Sequence, residues 1–141
     1  MKKLFISCPV AGRKMEDIRT TINKMQMIAE IVFDQEFEVI NLSDCVYDVE
    51  GNVANETSVK MVAKRIEKLA DADYFIGVKG WYDGRWRHCN IELEIARGHM
   101  NIPMYLIDEE IIAPDIEKIQ REYYKAKHPV CDACTPVPYN E

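Results

Sequence analysis

Residues 74–104 read YFIGVKGWYDGRWRHCNIELEIARGHMNIPM, and this stretch decides the fold. The apolar run Tyr74–Val78 predicts a buried strand, and a loop rich in glycine and aromatic residues follows it. Asn90 is placed to cap a helix that runs to about His99. A second strand is predicted over Pro103–Ile107. Strand, loop, helix and strand together form one unit of a parallel α/β sheet.

The rest of the chain repeats this alternation. Strands are predicted over Lys3–Ser7 and Glu38–Leu42, an amphipathic helix begins near Glu16, and a last helix opens at Pro114. A further helix follows Ser58, with its apolar stripe at Val59, Val62, Ile66 and Leu69. This order predicts a three-layer α/β fold, flavodoxin-like or Rossmann-like, whose parallel sheet has four to five strands and carries helices on both faces.

The composition bounds the domain and its partners. We assign residues 1–126 of the 141 to the α/β domain and residues 127–141, with three prolines, to an irregular tail. A net charge of −6 argues against sequence-independent nucleic-acid binding, which needs a basic face. No apolar run approaches the roughly 18 residues of a membrane-spanning helix. We therefore expect a cytoplasmic protein with neither nucleic acid nor membrane as a partner.

The five cysteines are expected to be free thiols in a reducing compartment. Cys131 and Cys134 form a lone CxxC pair in the tail. A structural zinc site needs four ligands at suitable spacing, so the sequence predicts no metal.

Topology alone predicts where a ligand binds. Right-handed crossovers place the carboxyl ends of all parallel strands along one edge of the sheet, and ligands of such sheets bind there. Three loops converge at that edge: Cys8–Lys14, Ser43–Ser58 and Lys79–Asn90.

Glu92 is the first candidate for chemistry at this edge. It is expected in the first turn of its helix, where the helix dipole favours an ionised carboxylate. Such a group suits attack on the anomeric carbon of a sugar, or stabilisation of an oxocarbenium-like transition state. The alternative is that Glu92 only stabilises the helix, since acidic residues are common in first turns.

The loop before Glu92 is the second candidate region. Trp81 and Trp86 can stack on a flat base, while Arg85 and Arg87 can hold a phosphate or carboxylate. The same residue types dominate protein–protein interfaces, so an interface loop is the alternative.

The loop after the first strand is the third candidate region. Gly12 and the cations Arg13 and Lys14 lie near a helix N-terminus, which suits an anion. The loop has neither a dinucleotide-binding nor a P-loop pattern. Cys8 is expected to be a buried, inert thiol rather than a nucleophile.

Three segments together resemble the nucleoside 2-deoxyribosyltransferase-like superfamily, especially its small bacterial and phage members related to nucleotide N-hydrolases. The segments are LFISCPVAG at 4–12, ADADYFIGVKGW at 70–81 and IELEIARGHMNIPMYLI at 91–107. The resemblance covers most of residues 3–107.

The resemblance implies cleavage or exchange at the bond between base and sugar. It places the attacking glutamate at Glu92, the ribose-contacting aromatic at Phe5 and the pocket-lining loop at Cys8–Gly12. It also implies no cofactor, a nucleoside or nucleotide as the small-molecule partner, and a homo-oligomer, dimeric or larger.

The chain departs from the family at one position. Active members carry an aspartate on the helix before the third strand, and this position falls at or near Arg65. Asp83 and His88 are the candidates to supply the proton instead. Without a placed acid the rate falls by roughly 10²–10⁴-fold.

Three hypotheses follow from these residues. The first is an N-glycosidic enzyme, a hydrolase or transferase, with Glu92 as nucleophile. The second is a protein that binds a nucleotide-like metabolite in the same cleft without turnover. The third is an assembly component whose tryptophan-rich loop forms an interface. The predicted catalytic residues are Glu92, Asp83 and His88. The predicted substrate-binding residues are Phe5, Cys8, Pro9, Gly12, Arg13, Gly80, Trp81, Arg85, Trp86, Arg87 and Asn90.

Overall fold

The computed structural model describes residues 1–10, 12–46, 59–79 and 87–112, together with residues 114, 115, 118 and 121. The strands in this part of the chain are β1 (Lys2–Ile6), β2 (Phe37–Val39), β3 (Tyr74–Val78) and β4 (Met104–Ile107). The α-helices are α1 (Met15–Phe33), α2 (Ser43–Val46), α3 (Val59–Leu69) and α4 (Arg87–His99). A short 3-10 helix spans Glu109–Ile111.

The strands form one parallel sheet in the order β2-β1-β3-β4. Leu4 of β1 pairs with Val39 on one side and with Tyr74 on the other, and Phe75 of β3 pairs with Met104. The four-stranded parallel sheet with helices confirms the predicted α/β fold class.

Alternation along the strands separates two apolar layers. Leu4 and Ile6 point to the side where Ile18, Met25 and Ala29 of α1 are buried. The intervening Phe5 points to the opposite side, where Phe75 packs with Leu69 of α3 and Ala96 of α4. Successive side chains of a strand face opposite sides of a sheet, so the core is divided into these two layers.

The buried face of α3 follows the predicted stripe except at its start, and it also includes an arginine. Its buried residues are Arg65 and Leu69, whereas Val59 at its start is 81% exposed. These two buried positions are one helical turn apart and define a face that turns an arginine inward. The apolar pattern located the helix and the side that it buries, since Val62 and Ile66 are half-buried, but it did not show that Arg65 shares that side.

Two predicted boundaries are also wrong. Helix α4 begins at Arg87, so Asn90 lies inside the helix and does not cap it. The stretch Ser43–Ser58 was expected to lack regular structure, but it starts with the helical turn α2. Residues 47–58 lie outside the described residues, as does the predicted tail at 127–141.

The predicted last helix is described at a few positions only. Asp115, Lys118 and Arg121 are helical where the structure describes them. Within the described residues, no helix is both long enough and apolar enough to cross a bilayer.

Gly77 of β3 offers a direct test of the layer formed by Phe5 and Phe75. A Cβ built on Gly77 would lie 2.8 Å from Cε1 of Phe75, whose buried ring stacks on Phe5 and cannot easily move. We expect Gly77→Ala to lower the free energy of unfolding by about 1–3 kcal/mol, as overpacking generally does. Urea denaturation measures the change.

Gly98 of α4 is the matched control for this substitution. A Cβ there has no heavy atom within 4 Å, so Gly98→Ala is expected to stabilise the helix by about 0.5–1 kcal/mol. Equal stability of Gly77→Ala and the unmodified protein would contradict the packing described for this layer.

Candidate functional site

The strand order places a crevice at the carboxyl ends of β1 and β3. The chain runs from β1 outward to β2 and then returns to the other side of β1 to form β3 and β4. Ligands of parallel sheets bind where the order reverses in this way. Ser7 directly follows β1 at this point, and its backbone N–H donates to the carbonyl of Ile76, 2.9 Å away.

Glu92 lies next to Ser7 at this edge of the sheet, with a fully buried side chain. Its side chain is 1% exposed, and the Ser7 hydroxyl donates to Oε1 over 2.7 Å. Because α4 begins at Arg87, Glu92 falls in the second turn of the helix and not in the first, as predicted. The orphan N–H groups of the helix terminus therefore do not account for its charge.

Arg65 supplies the positive charge that Glu92 faces. Its Nε donates to Oε2 of Glu92 and its Nη2 donates to Oε1 over 3.2 Å, so the pair is bidentate. Only 4% of the Arg65 side chain is exposed. Burial acts to lower the pKa of Arg65, but the charge and hydrogen bonds of Glu92 outweigh it and raise that pKa above its ordinary value. The guanidinium thus stays charged.

Phe5 supports Arg65 from within the sheet. The guanidinium carbon lies 5.9 Å from the centroid of the Phe5 ring, within the range of a cation–π contact. Phe5 is itself 0% exposed and stacks parallel to Phe75. The side chain predicted to contact a ribose is therefore a buried platform beneath the ion pair.

The third nitrogen of the Arg65 guanidinium, Nη1, takes no part in the contact with Glu92. Nη1 is buried and has no hydrogen-bond acceptor among the residues that the structure describes. A buried N–H group without an acceptor costs free energy, so Nη1 is a place where a further acceptor would be favourable.

Arg13 has a different environment, in which its three nitrogens are all engaged. Nε and Nη2 contact the carboxylate of Asp115 over 2.6 and 3.2 Å. Nη1 donates to the carbonyl of Pro9 over 2.9 Å, and Nη2 also donates to Thr21 over 2.7 Å. Arg13 thus connects the loop after β1 to Asp115. A phosphate could bind to Arg13 only if it replaced some of these hydrogen bonds.

His88 lies buried near the start of α4, beside Cys8 and Cys89. Its Nε2 is 2.9 Å from the backbone carbonyl of Cys8, and a carbonyl only accepts, so Nε2 carries the proton. Cys89 Sγ lies 3.4 Å from the same nitrogen, which as a donor cannot act as a base for the thiol. The predicted role of His88 as a general acid requires its Nε2–H to leave the Cys8 carbonyl.

The other predicted residues divide between described and undescribed parts of the chain. Pro9 is buried, while Gly12 is exposed with a φ of 78°, a left-handed conformation that favours glycine. Arg87 is exposed and Asn90 half-buried. Gly80, Trp81, Asp83, Arg85 and Trp86 lie outside the described residues.

Neither the contact of Ser7 with Glu92 nor the pairing of Arg65 with Glu92 was predicted from the sequence. The signal for Arg65 was available: it stands four residues before Leu69, on the face that α3 turns toward the sheet. A charged residue on a buried helical face needs a partner of opposite charge, and Glu92 is the buried carboxylate.

In the described parts of the chain, no group of three or more His, Cys, Asp or Glu residues is placed to hold a metal ion.

Comparison with protein-family models, curated proteins and solved structures gave no significant match. The assignment of function therefore depends on the geometry of the site and on the resemblance noted in the sequence.

The ion pair predicts a coupled effect on stability. Arg65→Met and Glu92→Met each leave one buried charge unpaired, and each is expected to lower the free energy of unfolding by about 3–5 kcal/mol. The double variant Arg65→Met/Glu92→Met removes both charges and is expected to be more stable than either single variant. Urea denaturation of all four proteins gives the coupling. If the double variant loses as much free energy of unfolding as the two single variants together, the described ion pair is contradicted.

Cys8 is predicted to be unreactive in the folded protein. Burial raises the pKa of its thiol to about 12, although Arg13 acts in the opposite direction. At about pH 8 only one molecule in roughly 10⁴ would then carry the thiolate, the form that reacts. Iodoacetamide should modify Cys8 slowly in the native protein and readily in urea, as followed by peptide mass mapping. Equal rates in both states would contradict this burial.

Proposed function

We propose that the protein acts on the N-glycosidic bond of a nucleoside or nucleotide, as an N-ribohydrolase or deoxyribosyltransferase-like enzyme, with Glu92 as the nucleophile. One observation carries the proposal. A carboxylate is held buried by Ser7 and Arg65 at the crevice where a parallel sheet binds its ligands. The resemblance to the deoxyribosyltransferase-like superfamily expects the attacking glutamate at this same position.

The reaction would proceed in two displacements. An oxygen of Glu92 attacks C1′ of the sugar, the bond to the base breaks, and the base leaves with the electron pair and takes up a proton. Water or a second base then attacks C1′ and releases Glu92. Ser7 and Arg65 orient the carboxylate for the first step. No cofactor is required, and the homo-oligomer implied by the resemblance remains a prediction.

The leaving base must receive a proton from a group of the site. The resemblance places the family's aspartate at or near Arg65, and a guanidinium does not release a proton near neutral pH. Asp83 and His88 remain the proposed donors. If neither serves, we expect turnover to be slower by the roughly 10²–10⁴-fold that a placed acid contributes.

The second candidate function is binding of a nucleotide-like metabolite without turnover. The observation that favours it is the bidentate contact of Arg65 with both oxygens of Glu92. Hydrogen bonds to a carboxylate stabilise its charge and thereby reduce its tendency to attack. In this case the pair would recognise the ligand without reacting with it.

A substrate panel separates the two candidates. We expect incubation with nucleosides and nucleoside monophosphates to release free base, detected by chromatography, and Glu92→Gln to abolish the release. Glu94→Gln is the matched control, because Glu94 is an exposed carboxylate of the same helix that pairs with Arg97. It should retain the activity of the unmodified protein.

Three other outcomes would each decide between the candidates. Base release that persists in Glu92→Gln contradicts the proposed nucleophile. Thermal stabilisation by a nucleotide without base release supports the second candidate function. The absence of both effects across the panel contradicts the nucleotide site altogether. Circular dichroism of Glu92→Gln shows whether a loss of activity reflects a loss of fold.

A further inference from the structure

We infer that Arg65 makes the site selective for ribose, by donating a hydrogen bond from Nη1 to the 2′-hydroxyl of the bound sugar. This inference rests on the proposed function, because it assumes that a nucleoside or nucleotide lies against Glu92. It adds the class of sugar, which the sequence left open.

Glu92 contacts only one side of the Arg65 guanidinium. The carboxylate occupies the side of the guanidinium formed by Nε and Nη2. Nη1 lies beyond that side on the same planar group, with two N–H donors. Neither donor has an acceptor within the described ranges, although only 4% of the side chain is exposed. A ligand oxygen is the kind of partner that satisfies such a group.

The charge balance at the site selects a neutral oxygen. Arg65 is already neutralised by Glu92, and the neighbouring Arg13 is neutralised by Asp115. A phosphate or carboxylate bound at Nη1 would therefore bring an uncompensated charge into a buried place, which is costly. A hydroxyl or carbonyl oxygen would satisfy the N–H group without adding charge.

The position of Nη1 then identifies the hydroxyl. Nη1 and Nη2 share one carbon, so an oxygen bound to Nη1 lies next to the contact between Nη2 and Oε1 of Glu92. If Glu92 faces C1′, the nearest hydroxyl of the sugar is the one on C2′, the adjacent carbon. Hydrogen bonds to this hydroxyl commonly accompany a carboxylate nucleophile in glycoside chemistry. A 2′-deoxy sugar would leave Nη1 without its partner.

Matched pairs of ligands test the inference. The four common ribonucleosides and their 5′-monophosphates are each compared with the 2′-deoxy form, which differs only in the hydroxyl. Isothermal titration gives Kd, and kinetics give KM where base is released. We expect at least one pair to bind, with the ribo form about tenfold or more tighter, as expected for a hydrogen bond to a charged donor.

Variants of α3 show whether Arg65 causes the preference. Arg65→Lys keeps a positive charge for Glu92 but lacks Nη1, so the ratio of ribo to deoxy affinity should fall to about one. Lys64→Gln changes an exposed residue of the same helix and should keep the ratio. If Arg65→Lys does not fold, Arg65→Met/Glu92→Met removes both charges and every side-chain donor at position 65, and serves the same comparison.

The outcomes distinguish this inference from the proposed function. Equal binding of ribo and deoxy ligands overturns the inference and leaves the nucleotide site in place, with a water molecule as the partner of Nη1. A preference that survives both Arg65→Lys and the double variant also overturns it. Failure of every nucleoside and nucleotide to bind overturns the inference and the proposed function together.

Discussion

The buried ion pair between Arg65 and Glu92 joins parts of the chain that are distant in sequence. Arg65 comes from α3, Glu92 from α4, and Ser7 reaches the same carboxylate from the end of β1. Removing two charges from water is costly, and only close, well-directed hydrogen bonds offset that cost. The position of α3 against α4, and the environment of the crevice, therefore both depend on this contact.

The same contact sets the chemical character of the site. A guanidinium beside a carboxylate keeps the carboxylate ionised, yet it also withdraws part of its reactivity. An aspartate in place of Arg65 would instead give the site a proton donor and a second negative charge. An arginine at this position is suited to hydrogen-bond donation and not to proton transfer.

Much of the fold followed from the sequence because apolar runs and helical periods report burial directly. The predicted strand Tyr74–Val78 agrees with the structure at both ends, and Glu92 does lie near the predicted edge of the sheet. The burial of Arg65 did not follow, because an apolar stripe indicates which side of a helix is buried and does not identify a charged residue that shares this side. Contacts such as Ser7 with Glu92, 85 residues apart, depend on tertiary geometry that no local pattern encodes.

The bond between Arg13 and Asp115 has a practical meaning for how the chain can be divided. It connects the first loop to a residue beyond the last strand, across 102 positions of sequence. A shortened protein that stops after β4 would retain the whole sheet, but the buried guanidinium of Arg13 would lose its counterion Asp115. The minimal folding unit therefore extends past the sheet, and any expression boundary chosen for this domain belongs on the far side of Asp115.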